Sequence, residues 1–264
     1  TSVSGLSVNY VHGGYRLRSP FRHLDDEAYT DACVDDLTQV FDMMTSGDVA
    51  AMIAEPIQGV GGFATPPDGF FGAMKKELDN RGVLFISDEV QTGWGRTGEN
   101  FWGYQAHGMT PDLLTFAKGV GNGLALGGVV ATADLMDSLP GNSLSTFGGN
   151  PMSAVGALAT IRYMLKHDIQ GHALAMGARL AGHLQPAVDA SPVVAELRGK
   201  GLMLAIETVE AGTLEPNTEV ARRIMEEARA AGLLIGKGGL YGNVLRIAPP
   251  MTVTEAEIDE AADV

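Results

Sequence analysis

A chain of 264 residues that is 45% hydrophobic can bury a large core, sized for one large domain and a smaller one. A formal charge of −14 argues against nucleic acid or an anionic membrane as a partner. Cys33 is the only cysteine, so no disulfide framework exists, and a reducing compartment, the cytoplasm, is the expectation.

No apolar stretch approaches the roughly 18 residues of a membrane span, and the N-terminal "TSVSGLSVNYVHGG" lacks the basic flank and apolar centre of a secretory signal. It also lacks an initiator methionine and starts in loop-like sequence, as a chain cut from something longer would. The 35 glycines are about twice the usual ~7% share and follow no collagen-like period, so they mark turns and places where backbone approaches a ligand.

Residues 1–48 read as a loop and a helix leading in. "DDEAYTDACVDDLTQVFDMM" puts Ala32, Leu37, Val40 and Phe41 on one helical stripe. The acids around it (Asp25, Asp26, Glu27, Asp31, Asp35, Asp36) lack the glycine-bearing loop of a calcium site and read as a solvated face. From Val49 strands and helices alternate. "VAAMIAEP" is a strand stopped by proline. "PPDGFFGAMKKELDNRG" is a helix with Gly82 at its C-terminal cap. "VLFISDEV", "PDLLTFAK" and "GGVVATA" are further strands, and such continuous apolar runs suit a parallel sheet covered on both faces.

Helix is expected from about Pro151 to Ala190. "VVAELRGKGLMLAIETV", "GLLIGKGG" and "NVLRIAPP" then read as strands, separated by the helix "NTEVARRIMEEARAAG". A last helix starts at Thr254, where Thr254 and Glu257 form a capping box. The division this suggests is a large domain over 49–170 and a small one over 171–264. Met43, Met44, Met74 and Met164 read as core filler. His107 and the scattered His12, His23, His167, His172 and His183 lack ligand spacing, so no metal site is expected.

In open α/β sheets ligands bind beyond the carboxyl ends of the strands, and Asp88 and Lys118 each stand at such an end, thirty residues apart. Either alone reads first as half of an ion pair. Two neighbouring stretches shift that balance: the glycine-rich "SDEVQTGWGRTG" after Asp88, and "NSLSTFGGNP", whose hydroxyls and amides precede a helix and suit an anion. A lysine nucleophile, a carboxylate and an anion-binding loop meet the needs of pyridoxal 5'-phosphate. The lysine must lose its proton to react, which an apolar strand end beside a cationic group favours. The glycines after Lys118 would let backbone and substrate approach.

"AEPIQGVGG" at 54–62, "SDEVQTGWGRTG" at 87–98, "PDLLTFAKGVGNG" at 111–123, "TFGGNP" at 146–151, "RGKGLMLAIE" at 198–207 and "LRIAPP" at 245–250 follow one another in the order found in class III (ω-type) aminotransferases. The chain resembles that family along nearly its whole length, and most of all its alanine–glyoxylate and β-aminoisobutyrate–pyruvate branch. The resemblance implies fold type I and a ping-pong transfer of an amino group from an amino acid or ω-amine to a 2-oxo acid such as pyruvate or glyoxylate. By it, Lys118 is the Schiff-base lysine and proton shuttle, Asp88 the partner of the ring nitrogen and Gln91 that of the phenolic oxygen. Val90 packs on one ring face. Thr146 reaches the cofactor phosphate of a neighbouring subunit, which implies a homodimer. Arg246 grips a substrate carboxylate, and Glu55 pairs with Arg246 when the substrate lacks one; a permanent Glu55–Arg246 bridge, or no contact at all, is the plainer alternative.

The resemblance begins in the family's middle. Neither its main phosphate-binding loop nor its ring-stacking aromatic is found here, so the chain reads as a C-terminal part that binds cofactor weakly, turns over little and leaves sheet edges exposed. Alternatives are a 4-aminobutyrate, ornithine or diamine transaminase, a pyridoxal-dependent lyase or decarboxylase, or a catalytically silent subunit. A dinucleotide site at Gly119, Gly121 and Gly123 is disfavoured because "LALGGVVATA" reads as a strand where such a turn must open a helix.

Overall fold

The computed structural model describes residues 8–141 and 144–264. Helix α1 (Asp26–Met44) starts where the Asp25 carboxylate accepts the Ala28 N–H at 2.9 Å, so one of the cluster's acids is a cap. Its buried stripe is Tyr29, Cys33, Leu37 and Phe41, four residues apart. The expected stripe is therefore rotated: Leu37 and Phe41 hold, while Ala32 and Val40 lie at the margins because the larger Tyr29 ring takes the centre.

Strand β1 (Ala51–Ala54), helix α2 (Phe70–Asn80), β2 (Leu84–Asp88), β3 (Leu113–Phe116) and β4 (Gly128–Ala131) form the first sheet and its covering helix, with strand order β1-β2-β3-β4. The first three strands are parallel and β4 is antiparallel. The glycines after Lys118 thus lead into strand β4 and open no long helix, contrary to a dinucleotide-binding turn. Helix α2 ends in the left-handed Gly82, and the Val83 N–H reaches back to the Leu78 carbonyl at 2.9 Å. It lays Phe70, Phe71, Met74 and Leu78 against α1 and Phe85. Coverage on both faces does not hold: Ile53, Val129 and Val130 are 62%, 51% and 57% exposed. Of the methionines expected as core filler, Met74 is fully buried, whereas Met43 and Met44 are exposed at the solvent end of α1.

A short helix α3 (Ala133–Asp137) precedes α4 (Pro151–Lys166) and α5 (Ile169–Ala190). The expected forty-residue helix is broken at Asp168, whose left-handed φ of 46° stops α4 and whose side chain caps α5 through the Gly171 N–H. Strands β5 (Val194–Lys200) and β6 (Met203–Thr208) are a hairpin where the sequence read as one run, because Gly201 takes φ 52°. Helix α6 (Thr218–Ala230), β7 (Gly236–Gly238), β8 (Val244–Ile247) and α7 (Glu255–Asp263) complete the chain, and the second sheet runs β5-β6-β8-β7. The capping box forms: the Thr254 N–H donates to Glu257 Oε2 at 2.8 Å, and the Thr254 hydroxyl oxygen accepts the Glu257 N–H.

The N-terminal segment is tied to the second sheet through a buried carboxylate. Glu207 of β6 accepts from Tyr15, from Arg18 at 2.9 and 2.5 Å, from Arg198 at 2.5 Å and from the Asn243 amide at 3.2 Å. Burial pushes its pKa up, yet Arg198, Tyr15 and Arg18 together hold it below the usual carboxylate range.

Candidate active site

Three neighbouring parallel strands end in charge. Glu55 follows β1, Asp88 closes β2, and Lys118 lies two residues beyond β3, with Asp88 in register with Thr115. Burial pushes the Glu55 carboxyl above its ordinary range, the Gly59 N–H opposes that shift, and the charges of Asp88 and Lys118 act on it with opposite signs. The three groups therefore share one electrostatic neighbourhood at the carboxyl edge of the sheet.

Beside this edge lies a cavity of about 200 Å³, lined on one side by Val90, Gln91, Trp94, Arg96 and Lys118 and on the other by Phe63, Met164, Met203, Ala248 and Met251. Its walls carry two cations and no carboxylate. Three of its residues hold left-handed backbone angles without being glycine: Phe63 (φ 52°), Trp94 (φ 65°) and Lys118 (φ 49°). Such angles cost of order 1 kcal/mol or more each, and they gather where a side chain must be aimed.

Lys118 opens a single 3-10 turn and is exposed, so the apolar surround expected for it is not what this chain provides. The glycines divide by role. A methyl at Gly119 would meet nothing, whereas one at Gly128 would press on the Phe116 ring, so the first leaves room beside Lys118 and the second serves packing. Asp88 accepts the Val90 N–H at 3.1 Å. The Gln91 amide crosses Gly59 so closely that a methyl there would overlap it.

Arg246 sits in β8, its guanidinium carbon 5.5 Å from the centre of the Phe63 ring. It donates to the Gly59 carbonyl at 3.2 Å, and its Nε is buried without a partner. Glu55 accepts the Gly59 N–H at 2.8 Å. Glu55 and Arg246 thus meet through the backbone of Gly59, and no bridge joins them among the described residues; the permanent ion pair is not the arrangement present. Thr146 is exposed, in the turn ahead of α4, and does not line the cavity.

Sequence reasoning missed Glu89, which is fully buried and accepts from the Ser87 and Thr92 hydroxyls and the Gly103 and Tyr104 N–H groups at 3.1, 2.5, 2.8 and 2.7 Å. The available signal was strand alternation: of two adjacent acids at a strand end, one must face away from the site. Arg96, Trp94 and Phe63 were likewise passed over. So was His107, which is buried against the Phe71 ring.

The donor set fits pyridoxal phosphate: an accessible amine, a half-buried carboxyl, a side-chain amide held in place, and a buried cation with an unused N–H. The sequence profile described as Aminotransferase class-III matches residues 7–264. The chain belongs to the class III aminotransferases. This is a family of pyridoxal-phosphate-dependent enzymes, and the two-sheet architecture is its fold type I, truncated in this chain. The chain is 41% identical over 226 residues to alanine–glyoxylate aminotransferase 2 homolog 2, mitochondrial, of Arabidopsis thaliana, covering 85% of this chain and 47% of that protein. It is 39% identical to the 5-aminovalerate aminotransferase DavT of Pseudomonas putida, over 81% of this chain and 50% of the relative. An amine transaminase from an uncultivated Pseudomonas species, solved in its PLP-bound form, superposes with a TM-score of 0.87 at 33% identity, covering 96% of this chain and 59% of that one. This class III chain spans about half the length of the curated relatives it matches. Among its described residues no helix is long and apolar enough to cross a membrane.

Proposed function

We propose that the protein to which this chain belongs transfers an amino group from an amino acid or ω-amine to a 2-oxo acid, with pyruvate or glyoxylate as acceptor, by a ping-pong mechanism on pyridoxal phosphate. The observation that carries this reading is the placement of Asp88 and Lys118 at the ends of adjacent parallel strands, with the charge of each felt by the Glu55 carboxyl. When bound, pyridoxal phosphate supplies an aldehyde for an amine and a protonated ring that draws electrons from the substrate carbon. In this reading the Lys118 amine is the covalent anchor, and it later carries the proton to and from the substrate carbon. Asp88 accepts the hydrogen bond of the ring N–H and keeps that proton in place. Gln91 donates to the ring oxygen, and Val90 lies against one face of the ring.

Arg246 receives the substrate carboxylate, for which its unpartnered buried Nε is available. Glu55, one peptide away, neutralises Arg246 when the substrate carries no carboxylate near the reacting carbon. Thr146 serves the phosphate of a neighbouring subunit. Its exposure, and that of Leu144, Phe147, Met152 and Val155 around it, supports a homodimer, to be checked by light scattering at twice the chain mass. The single, buried Cys33 thiol, pushed up to about 11 mainly by burial, suits a reducing compartment such as the cytoplasm.

Incubation with pyridoxal phosphate, borohydride reduction and peptide mass mapping test the reading. One adduct is expected, on Lys118, and Lys118→Ala should erase it; an adduct spread over surface lysines, or none, would overturn the assignment. Gly59→Ala is a finer check. Gly59 lies outside the left-handed region, so the added methyl is tolerated by the backbone and acts by expelling the Gln91 amide. Cofactor affinity should drop by about ten-fold, the worth of one hydrogen bond, with little change in unfolding midpoint.

A further inference from the structure

Arg96 is a guanidinium with no carboxylate. Burial alone acts on it, pushing its pKa down, and no charged partner contributes. Its hydrogen bonds go to main-chain carbonyls of the second sheet: Nη1 donates to the Leu202 carbonyl at 3.1 Å and to the Pro249 carbonyl at 2.7 Å. The Leu202 N–H returns a bond to the Arg96 carbonyl at 3.1 Å. The contact is built for close approach, since a methyl at Gly201 would collide with the backbone of Arg96 and Thr97, and one at Gly98 with that of Leu174 in α5.

These two carbonyls have different addresses. Leu202 is in the β5–β6 turn, and Pro249 lies three residues beyond Arg246, just past the end of β8. Arg96 itself sits eight residues after Asp88 and lines the cavity beside Lys118, facing Met203, Ala248 and Met251. One nitrogen therefore ties the loop that leaves Asp88 to the strand that carries Arg246.

We infer that Arg96 is a positioning residue for carboxylate recognition: it fixes β8, and with it the Arg246 guanidinium, at a set distance from the Asp88–Lys118 edge. The inference rests on the proposal that Arg246 receives the substrate carboxylate. A charged donor suits the task because it bonds two carbonyls from one atom more strongly than a neutral amide does, and a carboxylate partner would pull it away from them. Small misplacements of a recognition group are costly to substrate binding.

The experiment uses the 264-residue chain and its Arg96→Met and Arg96→Lys variants, with folding verified by circular dichroism. Hydrogen exchange is read at Leu202 and at residues 244–248, against 84–88 and 113–116 as controls. Pyruvate affinity is read by the fluorescence of Trp94, one of two tryptophans in the chain and itself in the cavity wall, with pyruvamide as uncharged comparator. For Arg96→Met we expect exchange at Leu202 and 244–248 to quicken by about ten-fold or more with the controls unchanged. Pyruvate binding should weaken by about ten-fold. Pyruvamide binding and borohydride trapping of pyridoxal phosphate on Lys118 should both stay within about two-fold of the parent chain, because the Lys118 edge does not depend on β8.

Unchanged exchange at those amides, or unchanged pyruvate affinity despite faster exchange, overturns the inference, as does a parallel loss of Lys118 trapping. Should Arg96→Met not fold, Arg96→Lys replaces it: lysine keeps the charge but not the fork, and a smaller shift of the same pattern is expected. A parent chain that neither binds pyruvate nor traps the cofactor refutes the proposed function, and the exchange pattern then decides the tie between the two sheets by itself.

Discussion

Glu89→Ala is expected to lower the unfolding free energy by about 3–5 kcal/mol in urea titrations, close to the limit of what a single substitution does. Glu89 is fully buried at the end of β2, and all four of its hydrogen-bond partners are donors. Burial pushes its carboxyl above the usual range, and those four donors act against that shift. Alanine removes the acceptor and leaves the Gly103 and Tyr104 N–H groups inside the protein without partners. Glu89→Gln, nearly identical in shape, should still cost about 2–3 kcal/mol, because its amide nitrogen must face at least one of those two N–H groups. A cost under about 1 kcal/mol for both variants would mean that water reaches the site and that Glu89 does not hold the loop. The consequence reaches the candidate active site, since the strand end that buries Glu89 is the one that presents Asp88, Val90 and Gln91 on the opposite side.

Acid should destabilise the chain through His107. Its imidazole is buried against Phe71, and burial, the largest cause, pushes its pKa from 6.5 to about 4. The nearby Asp68 carboxylate opposes that shift and Lys200 reinforces it. Because the unfolded chain takes up this proton more readily, the stabilisation is complete above pH 6.5, declines as pH falls from 6.5 towards 4, and is then lost, at most about 3 kcal/mol. Glu89 and Glu55, both raised, contribute in the opposite sense over the acid range. The measurement is therefore a difference: the pH dependence of stability in the parent minus that in His107→Gln. A flat difference between pH 7 and 4 would show that the ring is not sealed from solvent.

Much of this protein could be read before any coordinates. Apolar runs ending in proline or acid marked β1 and β2, Gly82 marked the end of α2, and the Thr254–Glu257 box marked the start of α7, because each is a local signal carried by a few consecutive residues. The charged strand ends at Glu55, Asp88 and Lys118 were visible for the same reason. Other features were decided only by the fold. Whether Ile53 and Val129 are covered depends on neighbours that no periodicity names. The β5–β6 hairpin and the break at Asp168 turn on single left-handed residues inside otherwise uniform stretches. That Glu55 and Arg246 meet through Gly59 rather than in an ion pair, and that Arg96 spends its charge on two carbonyls, are matters of angstroms between segments more than a hundred residues apart. Local chemistry is written residue by residue, whereas burial and long-range hydrogen bonds exist only once loop closure has brought distant segments together.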